Sequence, residues 1–246
     1  MGYFDFEGGL YPDVPENIRT AIFRLRYQVY CLEWGFEKEE DHPGGVETDE
    51  FDPHAVHIAA RLKGAPSTEV IGTSRVIVGC EVDRFPIECH CSFFSEFKPP
   101  PREFSGEISR LAVSKHFRRR AVDKLIFSHG DPAYESEQAL SAASAQDRRK
   151  SENEIVAGIY MHLYAESKRL GITHWYAVMA KGLHLLLKRW GVVFHPIGPE
   201  LNYHGWRGPY LAEIAEIEKN LERRNPALIE GARKILWQSD SKQEVI

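Results

Sequence analysis

Cysteine is scarce in this chain, with four among 246 residues, and that rules out a disulfide-stapled scaffold at this length. Cys89-His90-Cys91 offers soft ligands in a row. A structural zinc needs four, and no second Cys/His pair stands at a usual spacing. Free thiols, no metal and a reducing cytoplasmic setting are therefore expected. No run approaches 18 apolar residues, so no integral membrane segment is predicted. The opening MGYFDFEGGLYPDV lacks a basic stretch followed by an apolar one, as well as the Ser or Thr of a myristoylation signal. Positive charge is in deficit, at a net −5, which argues against a dedicated nucleic-acid binder.

What is present suffices for a large α/β core. Hydrophobic residues make up 43% of the chain, and no linker-like composition divides it. We expect a single domain over 1–246. Residues 15–32 read as a first helix, with Pro15 in its first turn and Asp13 as a cap. Ile18, Ile22, Leu25, Val29 and Leu32 form one apolar stripe. A second stripe carries Arg19, Phe23, Arg26 and Tyr30, and an aromatic and cationic face of this kind predicts a cover other than water. Residues 37–53 are an acidic loop broken by Pro43-Gly44-Gly45.

Residues 57–62 and 70–78 read as a hairpin, and 107–113 as a central strand. The polar stretch at about 130–153 reads as a mobile insertion. A helix at 153–169, a strand at 174–179, a helix closing at Gly191, a strand at 192–197 and a charged C-terminal helix at about 211–236, broken near Pro226, complete the pass. Mixed strands with helices on both faces predict an α/β domain built on one sheet.

Polar residues cluster in four of these segments: Arg26 with Tyr30, Asp49 with Asp52, Arg75, and Glu107 with Arg110. The Arg-x-x-x-aromatic helix, the Asp-x-x-Asp loop, Gly72-Thr73-Ser74-Arg75 and Glu107-Ile108-Ser109-Arg110-Leu111-Ala112-Val113, in that order, resemble the acyl-homoserine-lactone synthases. More closely, the chain resembles the N-acyl amino acid synthases, including the acyltransferases associated with PEP-CTERM/exosortase systems. Residues 24–33, 171–179, 196–199 and 203–205 carry that likeness. The resemblance implies the GNAT fold, with a central mixed sheet and a bulged middle strand. It also implies transfer of a long-chain fatty acyl group from the phosphopantetheine thioester of acyl carrier protein to the amine of an amino acid. No bound cofactor is implied.

Under that resemblance Glu107 is the general-base candidate, acting through a water with a pKa raised by burial. Arg110 either organises the acidic loop or pairs with Glu107. Strict alternation would put Glu107 and Arg110 on opposite faces, so they converge only across a bulge. Arg26, Tyr30, Arg75, Asp49 and Asp52 form the substrate-binding set, one arginine receiving the acceptor carboxylate, with the aspartates better read as partners of those arginines. Backbone around Leu111, Ala112 and Val113 would hold the pantetheine arm, and Trp175 and Tyr176 the acyl chain, in a tunnel shared with Val178 and Leu186.

CoA-dependent members of the fold carry a glycine-bearing turn after the central strand, whereas here the stretch reads Arg118-Arg119-Arg120-Ala121-Val122-Asp123. Three arginines suit an acidic carrier protein. The competing readings are a lactone synthase using S-adenosylmethionine, a CoA-dependent acetyltransferase, and a non-catalytic acyl- or carrier-binding regulator. The sequence leaves the acceptor, the chain length and the oligomeric state open.

Overall fold

Strand residues dominate the middle of the chain, and one mixed sheet gathers them. The computed structural model describes residues 3–117, 142–202 and 204–243. Its strands are β1 (Phe4–Leu10), β2 (Ala55–Leu62), β3 (Val70–Val78), β4 (Ser105–Val113), β5 (His174–Met179), β6 (His195–Pro196), β7 (Leu201–Asn202) and β8 (Trp206–Glu213). They run in the order β1-β2-β3-β4-β5-β8-β6, with β7 on β8. All described pairings are antiparallel except β4 with β5. The helices are α1 (Glu16–Tyr27), α2 (Pro86–His90), α3 (Ala142–Arg169), α4 (Lys181–Trp190), α5 (Ile214–Arg224) and α6 (Pro226–Gln243). This is the GNAT-like arrangement that the sequence implied.

One face of the sheet carries the main core. Val56, Val76, Ile108 and Ala177 stand in register across β2 to β5 and pack under α3. Ile155, Ile159 and Leu163 line the helix at spacings of four and are fully buried, each contributing roughly 1.5–3 kcal/mol of apolar burial. At Gly158 the helix touches β1 so closely that a Cβ would lie 2.1 Å from the Phe6 ring, so any larger residue has to displace that ring.

The opposite face is layered. Ala59 and Ala112 meet α1 in one apolar cluster. Ala55, Ile77 and Tyr176 meet Phe85 and Ile87 in another. Between the two lies the row His57, Arg75 and Ser109, which is polar.

Two irregularities shape this face. After α1 the chain continues as a π-helix, Gln28–Glu33, in which the Trp34 N–H reaches back to the Val29 carbonyl. The wider turn rotates the predicted stripe, so Val29 is fully buried while Leu32 is 47% exposed. In β4, Arg110 and Leu111 together oppose Ser74, between the pairs Arg75↔Ser109 and Thr73↔Ala112. Arg110 has φ +55°, a left-handed conformation rare for a side chain of this kind. The bulge inverts the alternation of the strand. Ile108 and Val113, even and odd, both face the main core, and Ala112 faces α1.

Several boundaries differ from expectation. Pro15 is itself the N-cap of α1, with its carbonyl taking the Ile18 and Arg19 N–H groups, and Asp13 caps nothing. Helix α3 starts at Ala142 rather than near 153, so the upper part of the polar stretch is helical; the rest of it falls outside the described residues. The strand expected over 192–197 is only His195–Pro196, and residues 211–213 finish β8 before the helix begins. The break at Pro226 is where it was expected. The four cysteines are unbridged. No described helix is long and apolar enough to cross a membrane.

Candidate active site

Arg26 lies two residues before the π segment, on the face of α1 that meets the polar row. Its Nη1 and Nη2 grip Asp52 at 2.6 and 3.1 Å, and its Nε donates to Glu47. Arg75 reaches Asp52 at 2.6 Å, holds Asp49 in a fork of 2.5 and 2.6 Å, and gives its Nε to Ser109 at 3.0 Å. Arg110 completes the circuit, with 3.0 Å to Glu47 and 3.1 Å to Asp49. Three arginines and three carboxylates thus alternate in a closed ring: Arg26, Asp52, Arg75, Asp49, Arg110, Glu47.

Within the ring each arginine bridges two acids and each acid two arginines, and Arg110 also meets Glu37 from outside it at 3.6 Å. The loop is tightened locally by Asp49 N–H to Asp52 Oδ2 at 2.8 Å and Phe51 N–H to Asp49 Oδ1 at 3.0 Å. Burial would raise the carboxyl pKa values of Glu47, Asp49 and Asp52, but the guanidinium charges override it and hold all three below the ordinary range. The partners raise the Arg26 and Arg110 guanidiniums in return, against their own burial.

Glu107 sits one layer below the ring. It is 3% exposed, and its Oε2 accepts the Ile87 N–H of α2 at 2.9 Å. No ion pair reaches it from the described residues. Burial pushes its carboxyl up to about 8, with the Ile87 N–H and the more distant charges of Arg75 and Arg110 only partly opposing. Of the two alternatives for Arg110, the acidic loop is therefore the one the structure shows, and Glu107 is left without that pairing.

Two clefts meet along Ile108–Arg110. The larger, about 430 Å³, is bounded by Glu107, Asp49, Arg75, Arg110, Phe36 and Arg207 among others. The smaller, about 60 Å³, opens where β4 parts from β5: their pairing runs from Ser105↔His174 to Ile108↔Ala177 and then stops. Tyr160, Ala177, Met179 and Leu183 give it apolar walls. Tyr30 borders both clefts, and its hydroxyl donates to the Leu111 carbonyl at 2.9 Å, on the bulge.

The structure thus gathers Tyr30, Asp49, Arg75, Glu107, Arg110 and Leu111 at the clefts. It corrects other assignments. Arg26 and Asp52 are 1% and 2% exposed and lie behind the site, and every fork of Arg26 and Arg75 is occupied by a carboxylate of the chain or by Ser109. Trp175 borders neither cleft: it lies in the main core opposite Gly106, where β4 and β5 are still paired, and its indole N–H donates to Ser167 at 2.9 Å. Tyr176 packs on Phe85 in the cluster beneath Glu107, while Ala177, Val178 and Met179 of the same strand reach the small cleft. Ala112 and Val113 are buried in the two apolar layers, leaving Leu111 alone of that trio at the cleft. Arg118, Arg119 and Arg120 lie outside the described residues.

Sequence reasoning missed Glu47, Phe36, His204 and Arg207. Glu47 stands among many acids of one loop, and nothing in its spacing singles it out. His204 has φ +51° in the turn between β7 and β8, and its ring lies 4.9 Å from that of Phe36. A non-glycine residue at positive φ marks a strained position, invisible in a one-letter code.

Comparison with known proteins agrees with this geometry. The profile of the Acetyltransferase (GNAT) domain matches residues 25–128. No curated protein matches the sequence. Solved structures do match in fold. The acyl-homoserine-lactone synthase LasI superposes with a TM-score of 0.58 at 14% identity, over 86% of this chain and 90% of its own. MesI, a CoA-dependent acyl-homoserine-lactone synthase, gives 0.56 at 17% identity, over 89% and 95%. FeeM, an N-acyl amino acid synthase from uncultured soil microbes, gives 0.50 at 11%, over 88% and 95%. Residues 25–128 thus resemble the GNAT acetyltransferase profile, and the chain has the fold of these synthases.

Proposed function

We propose that this protein is an N-acyltransferase that moves a long-chain fatty acyl group from the thioester of acyl carrier protein to the amine of an amino acid. The observation that carries the proposal is Glu107, a buried carboxyl with its pKa at about 8, on the wall of the larger cleft beside the parting of β4 and β5. A thioester needs no further activation. What it needs is a neutral amine and a group to take the proton that the amine gives up.

An acceptor ammonium is a poor donor to an ordinary carboxylate near 4.5. Moving that carboxylate to about 8 makes it roughly three powers of ten more basic. Glu107 takes one proton from the ammonium, through a water or directly. The amine nitrogen then attacks the thioester carbonyl carbon, the C–N bond forms and the C–S bond breaks. The nitrogen's second proton leaves with the sulfur as the free thiol. The Arg–carboxylate ring acts at one remove, because it fixes Arg110 and the bulge between the clefts and withholds Arg110 from Glu107.

In this reading the thioester enters by the smaller cleft, against Leu111. At about 60 Å³ that cleft takes the head of the acyl group, and a long chain has to part the side chains of Tyr160, Met179 and Leu183. The acceptor occupies the larger cleft. FeeM, whose fold this chain shares, is an N-acyl amino acid synthase, and that likeness supports the reading.

The test is incubation with long-chain acyl carrier protein and mixed amino acids, with amides detected by mass spectrometry. Amide should form, with kcat/KM rising with pH along a limb near 8, and Glu107→Gln should lower the rate about 100-fold or more and abolish that limb. Product only with S-adenosylmethionine present would assign lactone synthesis instead. Product only from acyl-CoA would reassign the donor. Undiminished turnover by Glu107→Gln would remove the proposed base.

A further inference from the structure

We infer that Arg207 receives the carboxylate of the acceptor and sets its selectivity for an amino acid over an uncharged amine; the inference rests on the acyltransferase reading for its substrate. The closed ring is the starting point. It contains as many carboxylates as guanidiniums, so its charges cancel, and the forks of Arg26, Arg75 and Arg110 are turned inward on Glu47, Asp49 and Asp52. An incoming carboxylate would have to break that ring, exposing a buried partner, to win one of those arginines.

Arg207 stands elsewhere. It comes from β8, opposite Leu201 of β7, on the wall shared by both clefts. Its guanidinium carbon lies 5.3 Å from the centre of the Phe36 ring, which supports the planar group from one side. Nε and Nη2 donate to the His204 carbonyl at 3.3 and 3.2 Å, long contacts with a neutral oxygen that orient the side chain. Its charge is felt at the site: the imidazolium of His204 is disfavoured by burial and then by Arg207.

The position also answers a requirement of the chemistry. The acceptor's amine has to reach the junction of the clefts, and in an α-amino acid the carboxylate is two bonds from that nitrogen. A cation that borders both clefts is placed for it. A part-buried arginine fork is also worth more to a carboxylate than to the isosteric carboxamide.

The test uses binding and turnover in parallel, on the full chain. N-dodecanoylglycine and N-dodecanoylglycinamide are titrated by calorimetry into wild type, Arg207→Gln and Arg207→Lys, each checked for an unchanged thermal transition. Wild type should bind the carboxylate about tenfold or more tightly than the amide. Arg207→Gln should bind the two equally, and Arg207→Lys should recover part of the preference. In turnover, Arg207→Gln should raise KM for an amino acid with little change for its amide. Retention of the full preference by Arg207→Gln, or no preference in wild type, overturns the inference. Preference in binding without any amide synthesis upholds it and sinks the acyltransferase reading; synthesis with the preference unmoved by Arg207→Gln does the reverse.

Discussion

Glu47 and Glu107 are the same residue in nearly the same degree of burial, 0% and 3% exposed, and they hold their protons in opposite ways. Glu47 lies between Arg26 and Arg110 and stays ionised well into acid. Glu107, one layer below, has a single backbone N–H and is protonated up to about pH 8. Burial raises both. The difference is the presence of guanidiniums, and therefore the partner and not the depth decides which carboxyl is structural and which is reactive. The ring maintains the contrast, because an Arg110 engaged by Glu47 and Asp49 does not neutralise Glu107.

The sharpest break of that contrast is Arg26→Met. It leaves Glu47 and Asp52 buried with one partner fewer each, and should cost about 3–5 kcal/mol in urea unfolding at neutral pH. A loss under 1 kcal/mol would mean that the ring is ornamental.

Next in size is the pH dependence of stability. Glu107 has a folded pKa above its unfolded one, so the native state binds more protons between about 4.5 and 8. Stability contributed by the neutral form is present below that window and declines as pH rises through it. The ring carboxylates are depressed, so their contribution is present above their unfolded values and is lost as pH falls below about 4. Unfolding free energies from pH 5 to 9 should therefore fall for wild type and fall less for Glu107→Gln. Identical slopes would erase the distinction between the two glutamates.

The smallest effect belongs to Tyr30→Phe, which removes only the hydrogen bond to the Leu111 carbonyl. About 0.5–1.5 kcal/mol of stability should go, with a modest loss of turnover, since the bulge then rests on the ring alone.

Much of this was legible in the sequence. The apolar stripes located α1, β2, β3 and β5 closely, and the cationic second stripe of the first helix announced a non-aqueous cover, which is the ring at Arg26 and Tyr11 at Arg19 and Phe23. The convergence of Glu107 with Arg110 could be posed from alternation as a requirement for a bulge, and the structure has one at Arg110-Leu111. Other parts were illegible for identifiable reasons. A π segment leaves no mark in a 3.6-residue period, so Leu32 was counted inward. The point at which β4 and β5 part leaves no mark in the sequence, so Trp175 and Tyr176, in the paired stretch, were taken for cleft residues in place of Ala177 and Met179. β1 alternates only over Phe4-Asp5-Phe6-Glu7 before two glycines interrupt the pattern, and it pairs along its whole length with β2 all the same. Arg207 belongs to a hairpin whose turn depends on backbone angles at His204 and Gly205.

The extra residue in β4 also has the character of a reading frame. Downstream of Arg110, every side chain of the strand is read in the other phase: Ala112 is delivered to α1 and Val113 to the main core. Straightening the strand with every residue kept would be the protein's own frameshift. The backbone would be left unstrained and the strand more regular, yet Val113 would turn towards α1 and Ala112 into a space shaped for a larger side chain. A strand improved by every local measure would then no longer fit either of the layers it joins.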